Sequence, residues 1–242
     1  MNNNVKLSDR LRKVASFITP GSYFADIGSD HAYLPCYVCM KDNEAHAIAG
    51  EVNRGPYESA IETVTQCNLS SRIDVRLGNG LSVLNVDDGI DSVVIAGMGG
   101  ALIRSILEEG KAHLRNVSRI VAQPNVDERQ LRKWLYTNDY TITEEEILEE
   151  NGHIYEIIVA DKNAERNPFK EGILDRQFLF GPILLHKKPQ VFYRKWEHEA
   201  FKRERVIGEM KKASKQNPEK LSAFQQELQW IQEVLSNGRD YS

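Results

Sequence analysis

The chain has 242 residues, 41% of them apolar, and a net charge of −4, enough for one α/β domain with its own core plus a smaller appendage. No apolar run approaches the roughly 20 residues of a membrane span, Met1-Asn2-Asn3-Asn4 leads straight into charged sequence with no signal-peptide h-region, and three cysteines fit no disulfide framework, so a cytoplasmic protein is expected. The charge is uneven: residues 1–180 carry 19 basic against 27 acidic side chains and residues 181–242 carry 12 against 8, which would draw an anionic partner to the C-terminal part or to local patches.

Leu7, Leu11, Val14, Ala15 and Ile18 recur at helical spacing behind Ser8, a helix-capping residue, and Pro20-Gly21 ends that helix. Strand and helix signals then alternate. Strands are expected at 23–27, 45–52, 73–77, 92–96 and 120–122, and helices at 32–40, 57–67 (Pro56 near the first turn), 101–107 and 128–136. Such succession implies a parallel sheet with helices on both faces. The pattern then changes: strands 140–148 and 154–160 flank Glu149-Glu150-Asn151-Gly152, whose Asn-Gly pair signals a hairpin. A parallel sheet that finishes in a hairpin is the seven-stranded arrangement of Rossmann-like methyltransferases, so the expected fold is α/β of that type.

Residues 161–170 read as a polar linker, and Phe178 to Leu185 as a short buried segment broken by Gly181-Pro182. Beyond Pro189 two helical stripes appear. Phe192, Trp196, Ala200, Arg203, Ile207 and Met210 form one, interrupted by its arginine; Leu221, Phe224, Leu228, Ile231 and Leu235 form the other, with the 3-4-3-4 spacing of a coiled-coil seam. Asn217-Pro218 turns the chain between them. The expected organisation is a catalytic, cofactor-binding domain over residues 1–165 and a C-terminal α-helical coiled-coil hairpin over 166–242, its arms roughly 30–40 Å long at 1.5 Å per residue.

Open α/β sheets bind ligands at the carboxyl ends of their strands. Here strand one ends in Asp26, Gly28, Ser29, Asp30 and His31; strand two in Gly50-Glu51-Val52; strand three in Gly78-Asn79-Gly80-Leu81; and strand four in Ala96-Gly97-Met98-Gly99-Gly100. Gly28 lets a ligand approach the backbone, Glu51 lies at the offset from which an acid reaches a ribose diol, and Asn79 would face the adenine edge. A nicotinamide dinucleotide is the competing ligand of such a motif. Its pyrophosphate needs bare amides and tolerates acid badly, whereas Asp26 and Asp30 suit a ligand carrying an amine and a sulfonium. Electrostatics therefore selects S-adenosylmethionine, with Asp26, Gly28, Ser29, Asp30, His31, Leu34, Glu51, Val52, Asn79, Gly80, Ala96, Gly97 and Met98 as the expected cofactor-binding residues.

Asp26-Ile27-Gly28-Ser29-Asp30-His31-Ala32-Tyr33-Leu34-Pro35, Ala49-Gly50-Glu51, Ile95-Ala96-Gly97-Met98-Gly99-Gly100 and Gln123-Pro124-Asn125 together resemble the bacterial tRNA (adenine-22-N1)-methyltransferases over nearly the whole chain. The resemblance implies methyl transfer to N1 of adenine 22, tRNA as partner, and an essential Asp30. The family often has Gly-Asp-Gly-Leu where this chain has Gly78-Asn79-Gly80-Leu81; asparagine also pairs with an adenine edge.

Adenine N1 carries a lone pair, so alignment matters more than a strong base. Asp30 is the candidate that accepts from the adenine N6 amine or holds the methyl donor in line; as a plain residue it would cap a helix. Asn125 is a candidate contact to the base, or a turn residue after Pro124. Met98 is a candidate apolar wall, or core filler. His31 either bonds the cofactor's amino-acid end or sits in the first helical turn without a ligand. Cys36 and Cys39 read as buried thiols, since no further ligands complete a zinc site, and no metal is expected. Among the basic residues of the tail, Arg194, Lys195, Lys202, Arg203 and Arg205 are the candidate tRNA contacts, with Arg104, Lys111, Arg115, Arg129, Arg132 and Lys133 extending that surface on the catalytic domain. A methyltransferase of small molecules or proteins and a non-catalytic RNA-binding module are the alternatives. The oligomeric state is open, and a monomer is compatible.

Overall fold

The computed structural model describes residues 5–212 and 217–236; Met1 to Asn4 lie outside them. Contacts divide the chain into two compact units that meet between Pro168 and Phe169.

The first unit is built on a seven-stranded sheet of order β3-β2-β1-β4-β5-β7-β6: β1 (Tyr23–Ile27), β2 (His46–Glu51), β3 (Ile73–Leu77), β4 (Ser92–Met98), β5 (Arg119–Pro124), β6 (Tyr140–Glu150) and β7 (His153–Lys162). The first five are parallel, and β7 inserts antiparallel between β5 and β6. This is the expected Rossmann-like arrangement. The hairpin turn sits at Asn151-Gly152, both at positive φ, the pair of left-handed residues that a tight turn between twisted strands requires. The strand β7 runs to Lys162, into the segment expected to be linker, because Arg119 of β5 and Asp161 of β7 pair across the strands through two hydrogen bonds of 2.7 and 3.1 Å.

The helices are α1 (Asp9–Ala15), α2 (Tyr33–Lys41), α3 (Arg54–Gln66), α4 (Gly100–Glu109) and α5 (Glu128–Thr137). Ser8 caps α1, its hydroxyl accepting from the Leu11 N–H at 3.2 Å. Asp30 does not cap α2; Ala32 holds that position in a left-handed conformation, and His31 lies outside the helix. Cys36 and Cys39 are buried free thiols within the apolar cluster of this face.

Arg132 corrects the sequence reading. It is not on a basic surface but fully buried with Glu145 and Glu156, donating from Nε to Glu145 at 2.7 Å and from Nη2 to Glu156. One guanidinium thereby ties α5 to both strands of the hairpin. Charges so buried persist only where partners replace water.

The second unit contains α6 (Leu174–Phe180), α7 (Leu184–Lys187), α8 (Gln190–Lys212) and α9 (Pro218–Ser236), so the expected short segment is two helices broken at Gly181. The ring of Phe180 meets that of Trp196 edge-on at 4.4 Å and lies 6.2 Å from that of Phe192. Residues 197–204 of α8 share a groove with residues 232–236 of α9, as an antiparallel pair requires. Along α9, Ile231 and Val234 are buried while Leu221, Phe224, Leu228 and Leu235 are only partly covered, so the seam is tightest near the C-terminal end of α9. Arg203, which interrupts the α8 stripe, pairs with Glu199 at 2.6 Å and with Glu227 of α9 at 3.1 Å.

Replacing Arg132 by alanine strands two carboxylates in the interior and is expected to destabilise the protein by about 3–5 kcal/mol, measured by urea unfolding; a change within about 1 kcal/mol would show that the triad carries little stability.

Candidate active site

Asp26, at the end of β1, is 3% exposed and accepts from the Ser29 hydroxyl at 2.6 Å. Burial, and then the negative charges of Glu51 and Asp30, push its carboxyl up to about 7, against the pull of the Ser29 hydrogen bond. Glu51, at the end of β2, is likewise buried; its Oε1 accepts the backbone N–H of Asp30, and burial with the Asp30 charge raises its carboxyl above the usual range. The side chain of Asp30 is 84% exposed. Two buried acids thus stand behind one open acid.

The intervening backbone is unusual. Asp30, His31 and Ala32 have φ of 45°, 68° and 56°, three successive left-handed residues at a cost on the order of 1–2 kcal/mol each. The Glu51 carboxylate and the Gly50 carbonyl, which accepts from Gly28 at 2.9 Å and Ser29 at 3.2 Å, hold this turn. His31 stacks on Tyr33 with centroids 5.4 Å apart. Gly28 itself has φ +71°, and a Cβ there would overlap the methyl of Met98; the thioether of β4 reaches over the glycine that follows β1.

The ends of β4 and β5 are zipped together. The Gln123 side chain is fully buried. Its Oε1 accepts from the Gly97 N–H at 3.1 Å and from Arg10 of α1, and its Nε2 donates to the Pro124 carbonyl at 2.9 Å and to Asn125 Oδ1 at 3.1 Å. Asn125 donates from Nδ2 to the Gly97 carbonyl and from its backbone N–H to the Met98 carbonyl, both at 2.7 Å. The next rung is Gly100 N–H to the Val126 carbonyl at 2.7 Å, and a Cβ on Gly100 would overlap the backbone of Asp127. Close backbone approach explains Gly100, and a positive φ of 79° explains Gly97.

The structure therefore gathers Asp26, Gly28, Ser29, Asp30, His31 and Glu51 at one side of the strand ends, and Ala96, Gly97, Met98 and Asn125 at the other. Val52 and Asn79 stand exposed past β2 and β3, with Gly80 beside Asn79. Leu34 packs into the apolar cluster beneath α2. Sequence reasoning assigned no role to Gln123 or Arg10; the signal was a polar residue inside an otherwise apolar strand, Ile120-Val121-Ala122-Gln123. Among the described residues no group of three or more His, Cys, Asp or Glu side chains is placed to hold a metal ion, and no helix is long and apolar enough to cross a membrane.

The site fits S-adenosylmethionine on its charges: Asp26, Glu51 and Asp30 are three carboxylates whose mutual repulsion a cationic ligand relieves.

Comparison with known proteins agrees. Residues 24–233 match the family model described as TrmK: tRNA (adenine(22)-N(1))-methyltransferase. The tRNA (adenine(22)-N(1))-methyltransferase of Bacillus subtilis is 41% identical over 239 residues, covering 98% of this chain and 100% of that one. The crystal structure of the B. subtilis M1A22 tRNA methyltransferase TrmK superposes with a TM-score of 0.90 at 39% identity, over 96% of this chain and 100% of that chain. A Streptococcus pneumoniae protein solved in complex with S-adenosyl-L-methionine gives 0.83 at 40% identity, over 95% of this chain and 100% of that chain. With its strand ends, its acids and its hairpin-terminated sheet in that company, the chain belongs to the tRNA (adenine(22)-N(1))-methyltransferase family.

Proposed function

We propose that this protein transfers a methyl group from S-adenosylmethionine to N1 of adenine 22 in tRNA, in the cytoplasm, and that the exposed carboxylate of Asp30 faces the reacting groups. The observation that carries this reading is the meeting of the acid cluster with the zipped β4–β5 ends: one side is negative and glycine-lined, the other rigid and amide-rich. Bound S-adenosylmethionine supplies an electrophilic methyl and a positive charge. The protein's own work is alignment, exclusion of water, and tolerance of the cation left on the product base.

Asp26 and Glu51 supply negative potential from behind, and Glu51 also fixes the Asp30 backbone. Asp30 is placed to accept from the N6 amine of adenine or to hold the donor in line. Val52, Asn79 and Gly80 complete the cofactor side; Met98 forms the apolar wall over Gly28. Asn125 is engaged by Gly97, Met98 and Gln123 and so positions the Gly97–Met98 floor; its exposed side chain keeps one Nδ2 hydrogen to offer to the base. On α8 the exposed Arg194, Lys202 and Arg205 are offered as contacts to tRNA phosphates. Arg203 is held in the seam by two glutamates, and Lys195 lies over the Trp196 ring at 5.5 Å.

Labelled methyl transfer to unmodified tRNA, with the product located by a reverse-transcription stop, is expected to give a stop at adenine 22; no incorporation into any tRNA overturns the reading. Asp30→Asn is expected to lower kcat by roughly 10²-fold, and an unchanged kcat removes Asp30 from the chemistry. Asp26 is protonated in the free protein below about pH 7, and a cationic ligand favours its ionised form. Cofactor affinity, read by calorimetry, should therefore fall as pH drops below about 7 and level off above it. The same raised value means that Asp26 favours folding at low pH and that this contribution is lost as pH rises through about 7. Asp26→Asn should flatten the affinity profile; an identical profile would assign the titration to another group. Charge reversal at Lys202 and Arg205 should weaken tRNA binding and lower its log–log salt slope by about 0.9 for each phosphate no longer neutralised. A slope equal to the wild type's would exclude both residues from the interface.

A further inference from the structure

On the other side of the same strand ends, away from the acid cluster, three side chains that the mechanism does not use come together. The antiparallel register Ala122 to Ile158, continued outward, brings Tyr155 level with the residues that follow β5. Alternation along β7 puts Glu156 on the face of the buried Arg132 triad and Tyr155 with His153 on the opposite one. That opposite face is the one covered by α1. From α1, Arg10 places its guanidinium carbon 5.2 Å from the centre of the Tyr155 ring, and the His153 ring lies 6.3 Å from it, tilted by 49°. His153 is exposed, and Tyr155 and Arg10 are half-buried.

Arg10 is held from two directions. Its Nη1 donates to Gln123 Oε1 and its backbone N–H to Glu150 Oε1 at 3.1 Å. It also approaches the exposed Gly97, where a Cβ would lie 3.8 Å from the guanidinium. A planar cation fixed beside two aromatic rings at the rim of a base-modifying site is a stacking surface: every nucleobase has a π-face, and unpaired RNA bases stack on aromatic rings and on arginine planes. The charges nearby favour a base over a phosphate. Glu146 and Glu150 of β6, opposite Ile157 and His153 in the register, flank the cluster on its own face, with Lys13 of α1 paired to Glu146 at 2.8 Å, and a phosphate would meet those two acids while a neutral ring would not.

We infer that Arg10, Tyr155 and His153 form a stacking platform for an unpaired base of the substrate RNA, either the target adenine or the nucleotide beside it. The inference rests on the reading of this protein as a tRNA methyltransferase. Arg10 has a second, positioning part, since the same guanidinium braces Gln123 and through it Gly97 and Asn125.

The test compares Tyr155→Phe, Tyr155→Ala, His153→Ala and Arg10→Lys in the full-length protein. Measurements are tRNA affinity by gel shift, methyl transfer as kcat and KM for tRNA, S-adenosylmethionine affinity, and thermal melting. Tyr155→Phe keeps the ring and should stay within about twofold of the wild type. Tyr155→Ala should weaken tRNA binding or raise its KM by about tenfold or more, with cofactor affinity and melting unchanged; His153→Ala should act in the same direction. Arg10→Lys keeps the charge but loses the planar fork, so kcat should fall while cofactor affinity holds. Tyr155→Ala equal to the wild type in tRNA affinity and kcat/KM overturns the platform, as does Tyr155→Phe losing as much as Tyr155→Ala. A wild type that neither binds nor methylates tRNA is a different failure: it removes the functional reading, and the platform with it.

Discussion

One buried side-chain amide organises the ends of β4 and β5 and the segments around them. Gln123 sits in the middle of an apolar strand end beyond the reach of solvent, so each of its polar atoms must find a protein partner. It finds the Gly97 amide, the Pro124 carbonyl, the Asn125 side chain and Arg10. Those partners belong to the end of β4, the end of β5, the loop beyond it and the first helix. A polar group in low dielectric is strongly directional when satisfied and costly when not, so the geometry of all four segments is coupled.

The acid cluster at the ends of β1 and β2 works by the opposite principle. There the chain accumulates unfavourable terms: three left-handed residues in a row, and two buried carboxylates behind a third. Local strain and unmatched charge concentrate at functional sites because the surrounding structure holds them in place. A cation-bearing ligand relieves the charge part directly. The two halves of the site thus meet at Gly28 and Met98, where the relaxed half and the strained half touch.

Much of the fold was legible in the sequence because it depends on local pattern. Period-two and period-3.6 apolar spacing, Asn151-Gly152, and the missing helix before the last strand were sufficient to read a hairpin-terminated parallel sheet. The acids and glycines at the strand ends were legible as well, since a short segment carries both charge and turn chemistry. What escaped was long-range pairing between polar residues. Arg132 looks like any helix-surface arginine until β6 and β7 bring Glu145 and Glu156 to it. Arg203 looks like a phosphate contact until α9 supplies Glu227. Arg10 and Tyr155 are far apart in the chain, and only the register of β7 against β5 makes them neighbours. The helix-capping role considered for Asp30 failed for a related reason, since the Glu51 carboxylate captures its backbone and holds the turn in a left-handed course.

The strand order has a consequence for the behaviour of the protein in concentrated solution. Placing β7 inside the sheet leaves β3 and β6 as its two edges, each with backbone groups open to pairing by another chain. The edge at β3 is five residues long and carries Asp74 and Arg76. The edge at β6 is eleven residues long, a length that invites pairing, but it carries five glutamates, of which Glu145 alone is turned fully inward. A second copy approaching that edge meets a row of like charges, and a bulge between Ile142 and Glu144 breaks its regularity. The hairpin that closes the sheet therefore also sets like charges against any second copy that would extend it.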